Sequence, residues 1–418
     1  MKPNKKILLI SHNFSPEPTG IGKYNGEMMN WLAMNGYDCT VITTFPFYPQ
    51  WEIQDPYKHR AYWFKKEVIN YEKYNTSITI HRCPLYVPEN PSGKKRVIQD
   101  FSIWTSMFWK ILKLIFTRQK FDLIITIAPP FHLAYLGLML KNRNHSKLLY
   151  HIQDLQIDAA QELKMLSNIR LFDIIYKFEK KIIKEANFVS SISAGMVNKI
   201  KTKVNRDVFF FPNWVDQTYL FPLGSHEKLK LKWGYQESDI IYLYSGAIGE
   251  KQALDDILFA AEYHLNNKNI QFIICGSGPY KERLVKVTES KKLSNVKFLP
   301  VQDKASFNEF LNMADYHLVL QKANMSDLVM PSKLTSILGV GGIPIVAAAP
   351  GTTLYNLIQQ KDLGYVTEPD NQQLLSKLIG ALRPDEAFKM KRRNVLNYAS
   401  QFLNINNVMN SFLSNVSI

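Results

Sequence analysis

A chain of 418 residues, 46% hydrophobic and 21% charged, is too long for one ordinary core and suits two α/β domains. Its formal charge of +15 would fit nucleic acid, an anionic membrane or a phosphorylated substrate, but the lysines are spread along the chain and no nucleic-acid module accompanies them. Cys39, Cys83 and Cys275 have neither metal-ligand spacing nor a disulfide framework, residues 7–10 are too short for a secretory signal, and no apolar run reaches about 18 residues, so a protein of the reducing cytoplasm without a membrane span is expected.

Residues 5–14 (KKILLISHNF) read as a buried strand. Gly20 and Gly22 follow, then an amphipathic helix through Met28, Met29, Leu32 and Ala33, then a second strand at CTVITTF. That is a βαβ unit over residues 6–45. Gly20, Gly22 and Gly26 do not have the dinucleotide spacing, and Thr43 and Thr44 stand where a ribose-binding carboxylate would close the second strand. NAD binding is therefore not expected. His12, Glu17 and Lys23 around this loop read as ordinary surface polarity.

Residues 101–120 (FSIWTSMFWKILKLIFTRQK) are rich in Trp, Phe, Ile and Leu, with Lys110, Lys113, Arg118 and Lys120 between them. The charges are too central for a spanning helix. They suit a helix in the lipid interface, with Trp104, Phe108 and Trp109 facing the membrane. A core-packed helix fits the pattern equally well; the basic run at 93–96 favours the lipid surface.

Strands are expected at 121–130 and 147–156, a long helix at 169–185, and a short strand at NFVSSIS. His151 and Asp154 sit at a strand end, and the further acid Asp158 favours a cleft position for them over a core one. Residues 212–214 and 223–226 mark the interdomain connection, and a helix after about 396 ends the chain.

The second half opens on residues 240–261 (IIYLYSGAIGEKQALDDILFAA), a strand, a loop with Gly246 and Gly249, one lysine, Lys251, and a helical pattern. Close backbone approach, unpaired helical N–H groups and a mobile cation make an anion site. Two more loops follow strands or open helices in this half: Gly276-Ser277-Gly278-Pro279 and Pro331-Ser332-Lys333. Each alone is more often a plain turn; their recurrence in one domain points to a binding site. Strands alternate with helices throughout, so parallel sheets are expected, with ligands at their carboxyl ends.

Taken together, SPEPTGIGKYNGEM, YPQW, RCPLYVP, HIQD, FFPNW, LYSGAIGEKQAL and PSKLTSILGVGG resemble the bacterial GT-B glycosyltransferases of family 4, most closely the colanic-acid subgroup, over nearly the whole chain. The resemblance implies an α/β, GT-B architecture of two Rossmann-like domains facing a central cleft: 1–210 on the acceptor side, 211–395 for the donor, and a terminal helix at 396–418. It implies retaining transfer from a UDP- or GDP-linked sugar onto an undecaprenyl-type lipid-linked glycan, with no metal or other cofactor, at the inner face of the cell membrane. Lys251 then matches the phosphate lysine, Gly20 and Gly22 the diphosphate loop, His151 the histidine near the donor sugar, and Gly276 and Gly278 the loop near the nucleoside. Two departures stand out. Ala247 and Ile248 occupy the place of an arginine. Asp327 and Ser336 lie where paired glutamates would hold the ribose. No protein nucleophile is evident, so front-face attack is expected, with Lys251 and helix N-termini stabilising the leaving diphosphate. A nucleotide-sugar epimerase on the same fold and a non-catalytic nucleotide-sugar-binding subunit are the alternatives.

Overall fold

The computed structural model describes residues 4–17, 20–48, 50–90, 92–117, 119–162, 169–224, 226–323 and 331–418. The chain forms two compact units, Met1–Phe211 with Met409–Ile418, and Pro212–Val408. The first carries strands β1 (Lys6–Ile10), β2 (Asp38–Thr44), β3 (Lys65–Tyr71), β4 (Thr76–Cys83), β5 (Leu123–Ala128), β6 (Lys147–Ile152), β7 (Phe188–Ser191) and β8 (Phe209–Phe210). Its helices are α1 (Gly20–Met34), α2 (Gly93–Phe116), α3 (Leu133–Asn144), α4 (Gln156–Glu162), α5 (Ile169–Glu185) and α6 (Ala194–Lys203). The strand order is β3-β4-β2-β1-β5-β6-β7-β8. Strand β5, LIITIA, is buried at every position, as a strand covered on both faces must be.

One pairing departs from the parallel expectation. β3 runs antiparallel to β4, joined by a 3-10 turn at Glu72–Tyr74 and Asn75 in the left-handed region. A connection that short can make only an antiparallel neighbour. β3 is a solvent-edge strand with a largely polar sequence, KKEVINY, so no apolar run announced it.

The second unit alternates α7 (His226–Lys232), β9 (Ile240–Ser245), α8 (Asp255–Tyr263), β10 (Ile270–Cys275), α9 (Lys281–Ser290), β11 (Val296–Leu299), α10 (Lys304–Met313), β12 (Tyr316–Val319), α11 (Lys333–Gly339), β13 (Ile343–Ala347), α12 (Thr353–Gln360), β14 (Tyr365–Thr367), α13 (Gln372–Ala381) and α14 (Glu386–Phe402). Its sheet is all parallel, in the order β11-β10-β9-β12-β13-β14. Stacked rings of Tyr242 with Tyr316 (5.2 Å) and Phe272 (5.5 Å) fill its core. Both phenols are satisfied, Tyr242 by Ile379 O (2.8 Å) and Tyr316 by Arg383 O (2.9 Å).

The chain returns to the first unit only at Met409, inside α15 (Ile405–Val416). A boundary at 396 is thereby corrected. Residue 396 lies within α14, whose Val395 and Ala399 pack with Leu334, Ile337 and Leu338 of α11. Phe412 of α15 stacks on Phe211 at 4.7 Å in the first unit.

Helix α2 has one buried face and one exposed face. Ile103, Met107, Ile111 and Leu114 are buried. Val97, Ile98, Phe101, Trp109 and Phe116 are exposed, Phe116 at 81%. Of the three residues expected to face lipid, only Trp109 is exposed; Trp104 and Phe108 stack on each other at 5.1 Å and are half-buried. Among the described residues no helix is long and apolar enough to cross a membrane.

Candidate active site

Each sheet has a switch point, between β1 and β5 in the first and between β9 and β12 in the second. At such a switch point the adjoining loops leave in opposite directions and open a crevice beyond the carboxyl ends of the strands. In the second unit that crevice is bounded by the loop after β9 and the first residues of α11.

Gly246 turns the chain as β9 ends, at φ +151°. Its N–H donates to Cys275 O (3.0 Å), and that of Ile248 to Ser277 O (2.9 Å), so the two glycine loops extend the pairing of β9 with β10. The contact is tightest at the second loop. A Cβ on Gly276 would lie 1.9 Å from Gly246 O, and one on Gly278 would lie 2.2 Å from Ile248 O. Loop-on-loop packing therefore accounts for both glycines without a nucleoside. Gly249 differs, since a Cβ there would meet only the movable end of Gln252.

Lys333 reaches back from α11 to the first loop. Its Nζ lies 3.5 Å from the centre of the Tyr244 ring and 2.9 Å from where a Cβ on Gly246 would stand. Nζ is buried and has no hydrogen-bond partner among the described residues. Burial pulls its ammonium down to about 7. Lys251 is the opposite case. It lies on the 3-10 turn Glu250–Gln252, exposed, with no side-chain partner among the described residues. Neighbouring Glu250 pairs instead with Lys322 (3.1 Å).

The helix terminus expected to help Lys251 is corrected. Ala253 adopts a left-handed conformation, α8 starts only at Asp255, and its first turn holds two carboxylates. Asp255 accepts from the Tyr280 hydroxyl (2.7 Å) and Asp256 from Gln372 Nε2 (2.8 Å). The positive end of this helix is already met by charge of the opposite sign. Ser332 is exposed and makes no capping bond, and Ser336 is partly exposed on α11. Asp327 lies outside the described residues.

In the first unit Gly20 opens α1 at φ +60°, whereas Gly22 leaves room for Glu17, whose Cβ would be 2.7 Å from an added methyl. Glu17 is not surface polarity. It is 2% exposed and accepts from Asn13 Nδ2 (2.7 Å) and from the N–H groups of Phe47 and Tyr48 (both 3.1 Å). Burial outweighs those donors and raises its carboxyl to about 7. At the switch point, His12 follows β1 and His132 follows β5. Burial lowers their imidazoles to about 3 and about 4, His12 being depressed further by His132. Nδ1 of His12 and both ring nitrogens of His132 are buried without a hydrogen-bond partner among the described residues, Nε2 of His132 lying 4.0 Å from Asp100 Oδ2. His132 escaped the sequence reading; the Pro129-Pro130 stop on a wholly buried strand, two residues upstream, is the signal that marks it.

His151 is placed differently from the cleft position expected. It lies within β6, 3% exposed, with Nδ1 hydrogen-bonded to Ser190 Oγ (2.9 Å) and its ring 5.0 Å from that of Phe211. Burial holds it neutral, at about 3. Asp158 belongs to a buried ion triad, bonded to Lys203, which also reaches Glu179 at 2.8 Å. Asp154 alone of the three stays at the strand's carboxyl end, partly exposed, its carboxyl raised by burial to about 7. The structure thus offers neutral imidazoles and carboxyls raised by burial in one unit, which suit an uncharged hydroxylated ligand, and two lysines without a side-chain partner among the described residues in the other, which suit an anion. Among the described residues no group of three or more His, Cys, Asp or Glu side chains could hold a metal ion.

The model of the family of glycosyl transferases group 1 matches residues 225–401. The colanic acid biosynthesis glycosyl transferase WcaI of Escherichia coli (strain K12) is 34% identical over 421 aligned positions, covering 98% of this chain and 99% of that one. The chain belongs to the group 1 glycosyltransferases. Solved structures share its fold at low identity. Sucrose-phosphate synthase from Thermosynechococcus elongatus superposes with a TM-score of 0.75 at 15% identity, covering 99% of each chain. HepE of Anabaena, in complex with UDP and glucose, gives 0.68 at 14%, covering 99% of this chain and 100% of that one. The glycosyltransferase therefore has the α/β, two-Rossmann architecture of the GT-B fold.

Proposed function

We propose that this glycosyltransferase moves a sugar, with retention, from a UDP- or GDP-linked donor to an undecaprenyl-type lipid-linked glycan, in exopolysaccharide assembly on the cytoplasmic face of the cell membrane. The observation that carries the donor half is a pair of lysines without a side-chain partner among the described residues, Lys251 on the loop after β9 and Lys333 at the start of α11, at the switch point of the second sheet. The name of the E. coli relative and the UDP in HepE support the pathway and the donor class.

In the chemistry proposed, the bond from the anomeric carbon to the diphosphate oxygen lengthens first. Lys251 meets the charge that builds on the leaving diphosphate. The acceptor hydroxyl attacks from the same face, its oxygen bonds to the anomeric carbon, and its proton passes to a diphosphate oxygen. The carboxyl end of the first sheet, with Glu17, His12, His132 and Asp154, takes the acceptor sugar. His151 acts from beneath, as a positioning residue in β6. The proposal needs no metal, and transfer is expected to continue undiminished in EDTA when a lipid-linked acceptor is supplied. Loss on chelation, restored by magnesium or manganese, would contradict it.

The membrane half rests on α2. Its exposed Val97, Ile98, Phe101, Trp109 and Phe116 lie beside Lys94, Lys95, Arg96 and Lys113. His81 of β4, lowered to about 4 by burial first, also feels Lys110, Lys66 and Lys113, so the basic patch continues onto Lys66 of the edge strand β3. Apolar area combined with about 1 kcal/mol per basic residue near the surface suits an anionic bilayer. Wild-type protein is expected to float with phosphatidylglycerol vesicles and to be released by salt. Replacing Phe101, Trp109 and Phe116 with serine should abolish flotation and leave circular dichroism unchanged, because these side chains leave no core cavity. Wild type remaining at the bottom of the gradient would sink the membrane half alone.

A further inference from the structure

We infer that Lys333 is the second cation of the donor diphosphate site, meeting the ligand from beneath the first glycine loop; the inference rests on the nucleotide-sugar reading of that site. The motivating feature is a buried ammonium with nothing to hold it. An unpaired buried charge is costly, so such an amine sheds its proton unless an opposite charge comes to meet it. Lys333 Nζ rests on the Tyr244 ring, 3.5 Å from its centre, and faces the backbone of Gly246 at the sheet's switch point. A side chain at 246 would occupy that space, since its Cβ would come within 3.0 Å of both Nζ and Cε. Ala247 and Ile248 bring no charge to the loop, and the Tyr244 hydroxyl is engaged with Ala247 O (2.5 Å).

The charged surroundings are equally bare. Among the described residues no carboxylate, histidine or other lysine from α11, β9, β12, β13 or the glycine loops shifts Lys333; burial alone lowers it. Tyr244, the titratable group in contact, is itself held neutral by burial. Before a ligand binds, Lys333, lowered to about 7, is therefore largely uncharged at pH 8. A diphosphate placed against Nζ reverses the balance, because an opposite charge favours the protonated form. Binding above pH 7 must then take up a proton, and affinity must fall as pH rises through 7 to 9. Lys251, exposed and screened, supplies the charge that draws the ligand in; Lys333 supplies the contact that is made only once the ligand is seated.

The test is titration of UDP and of GDP into the full chain at pH 8, in two buffers of different ionisation enthalpy. Wild type should take up close to one proton per nucleotide. Lys333→Met should weaken binding by about 30-fold or more and abolish the proton uptake. Without nucleotide it should melt above wild type, since a buried polar amine with no partner among the described residues is replaced by an apolar side chain. Lys333→Gln, which stays polar, should likewise show no proton uptake. Wild-type affinity in both variants, or proton uptake that survives in them, overturns the inference while leaving the donor reading intact. A Lys333→Met melting point below wild type also contradicts it. Wild type binding neither nucleotide at millimolar concentration overturns the inference and the donor reading together.

Discussion

Lys251→Ala should abolish sugar transfer and leave the fold untouched. The side chain is exposed and makes no hydrogen bond or ion pair among the described residues, so its truncation removes no packing and should change stability by no more than about 0.5 kcal/mol. Its proposed work is confined to the departing diphosphate. Removing one preorganised charge from a developing oxyanion lowers kcat by about 10²–10³-fold, roughly 2.7–4 kcal/mol. Initial rates alongside a thermal melt separate the two effects. Near-normal turnover would remove Lys251 from the chemistry. A collapse of the melting temperature would recast it as a structural residue.

Gly276→Ala should do the reverse and damage the fold itself. The residue sits at φ +150°, where an L side chain is strained, and its Cβ would be driven to 1.9 Å from a backbone oxygen that belongs to the neighbouring loop. Backbone cannot swing aside as a side chain can. The two loops are stitched by the hydrogen bonds of Gly246 and Ile248, so relieving the clash breaks the extension of β9 onto β10. A loss of at least about 3 kcal/mol follows, a fall in melting temperature of roughly 6–12 °C for a unit of this size. Gly249→Ala is the internal control, because its added methyl meets only the free end of Gln252. A melt of Gly276→Ala that matches the control would refute the packing account and return Gly276 to ligand contact.

That contrast shows where sequence stops being legible. The β9 strand, its glycine loop and Lys251 could be read directly, because an apolar run, a pair of glycines and one cation are all local signals. Lys333 could be named as a cation on a third loop. Its contact with Gly246, 87 residues away, could not be foreseen, because it depends on β12 lying beside β9. Glycines 276 and 278 looked like ligand contacts for the same reason: their actual neighbour is another loop. His151 and Asp158 were misplaced by a reasonable pattern. Acids near a strand-end histidine resemble a cleft, but Asp158 is consumed by Lys203, a residue distant in sequence, and His151 falls on a covered strand position. β3 escaped because a polar edge strand has no apolar signature. The first unit's buried polar network around Glu17 was read as surface, since nothing local distinguishes a buried glutamate from an exposed one. Only the donors gathered from Asn13, Phe47 and Tyr48 do that.

The most direct measurement of the central claim is incubation of the purified chain with a panel of UDP- and GDP-sugars labelled in the sugar, with and without a lipid-linked glycan acceptor. Label should pass into the organic phase from one donor, only when acceptor is present, with release of the matching nucleoside diphosphate and retention of the anomeric configuration. Isomerised donor formed without acceptor would mark an epimerase, and saturable binding without turnover across the panel would mark a binding subunit. Either result would contradict the transfer of a sugar from a nucleotide to a lipid-linked glycan.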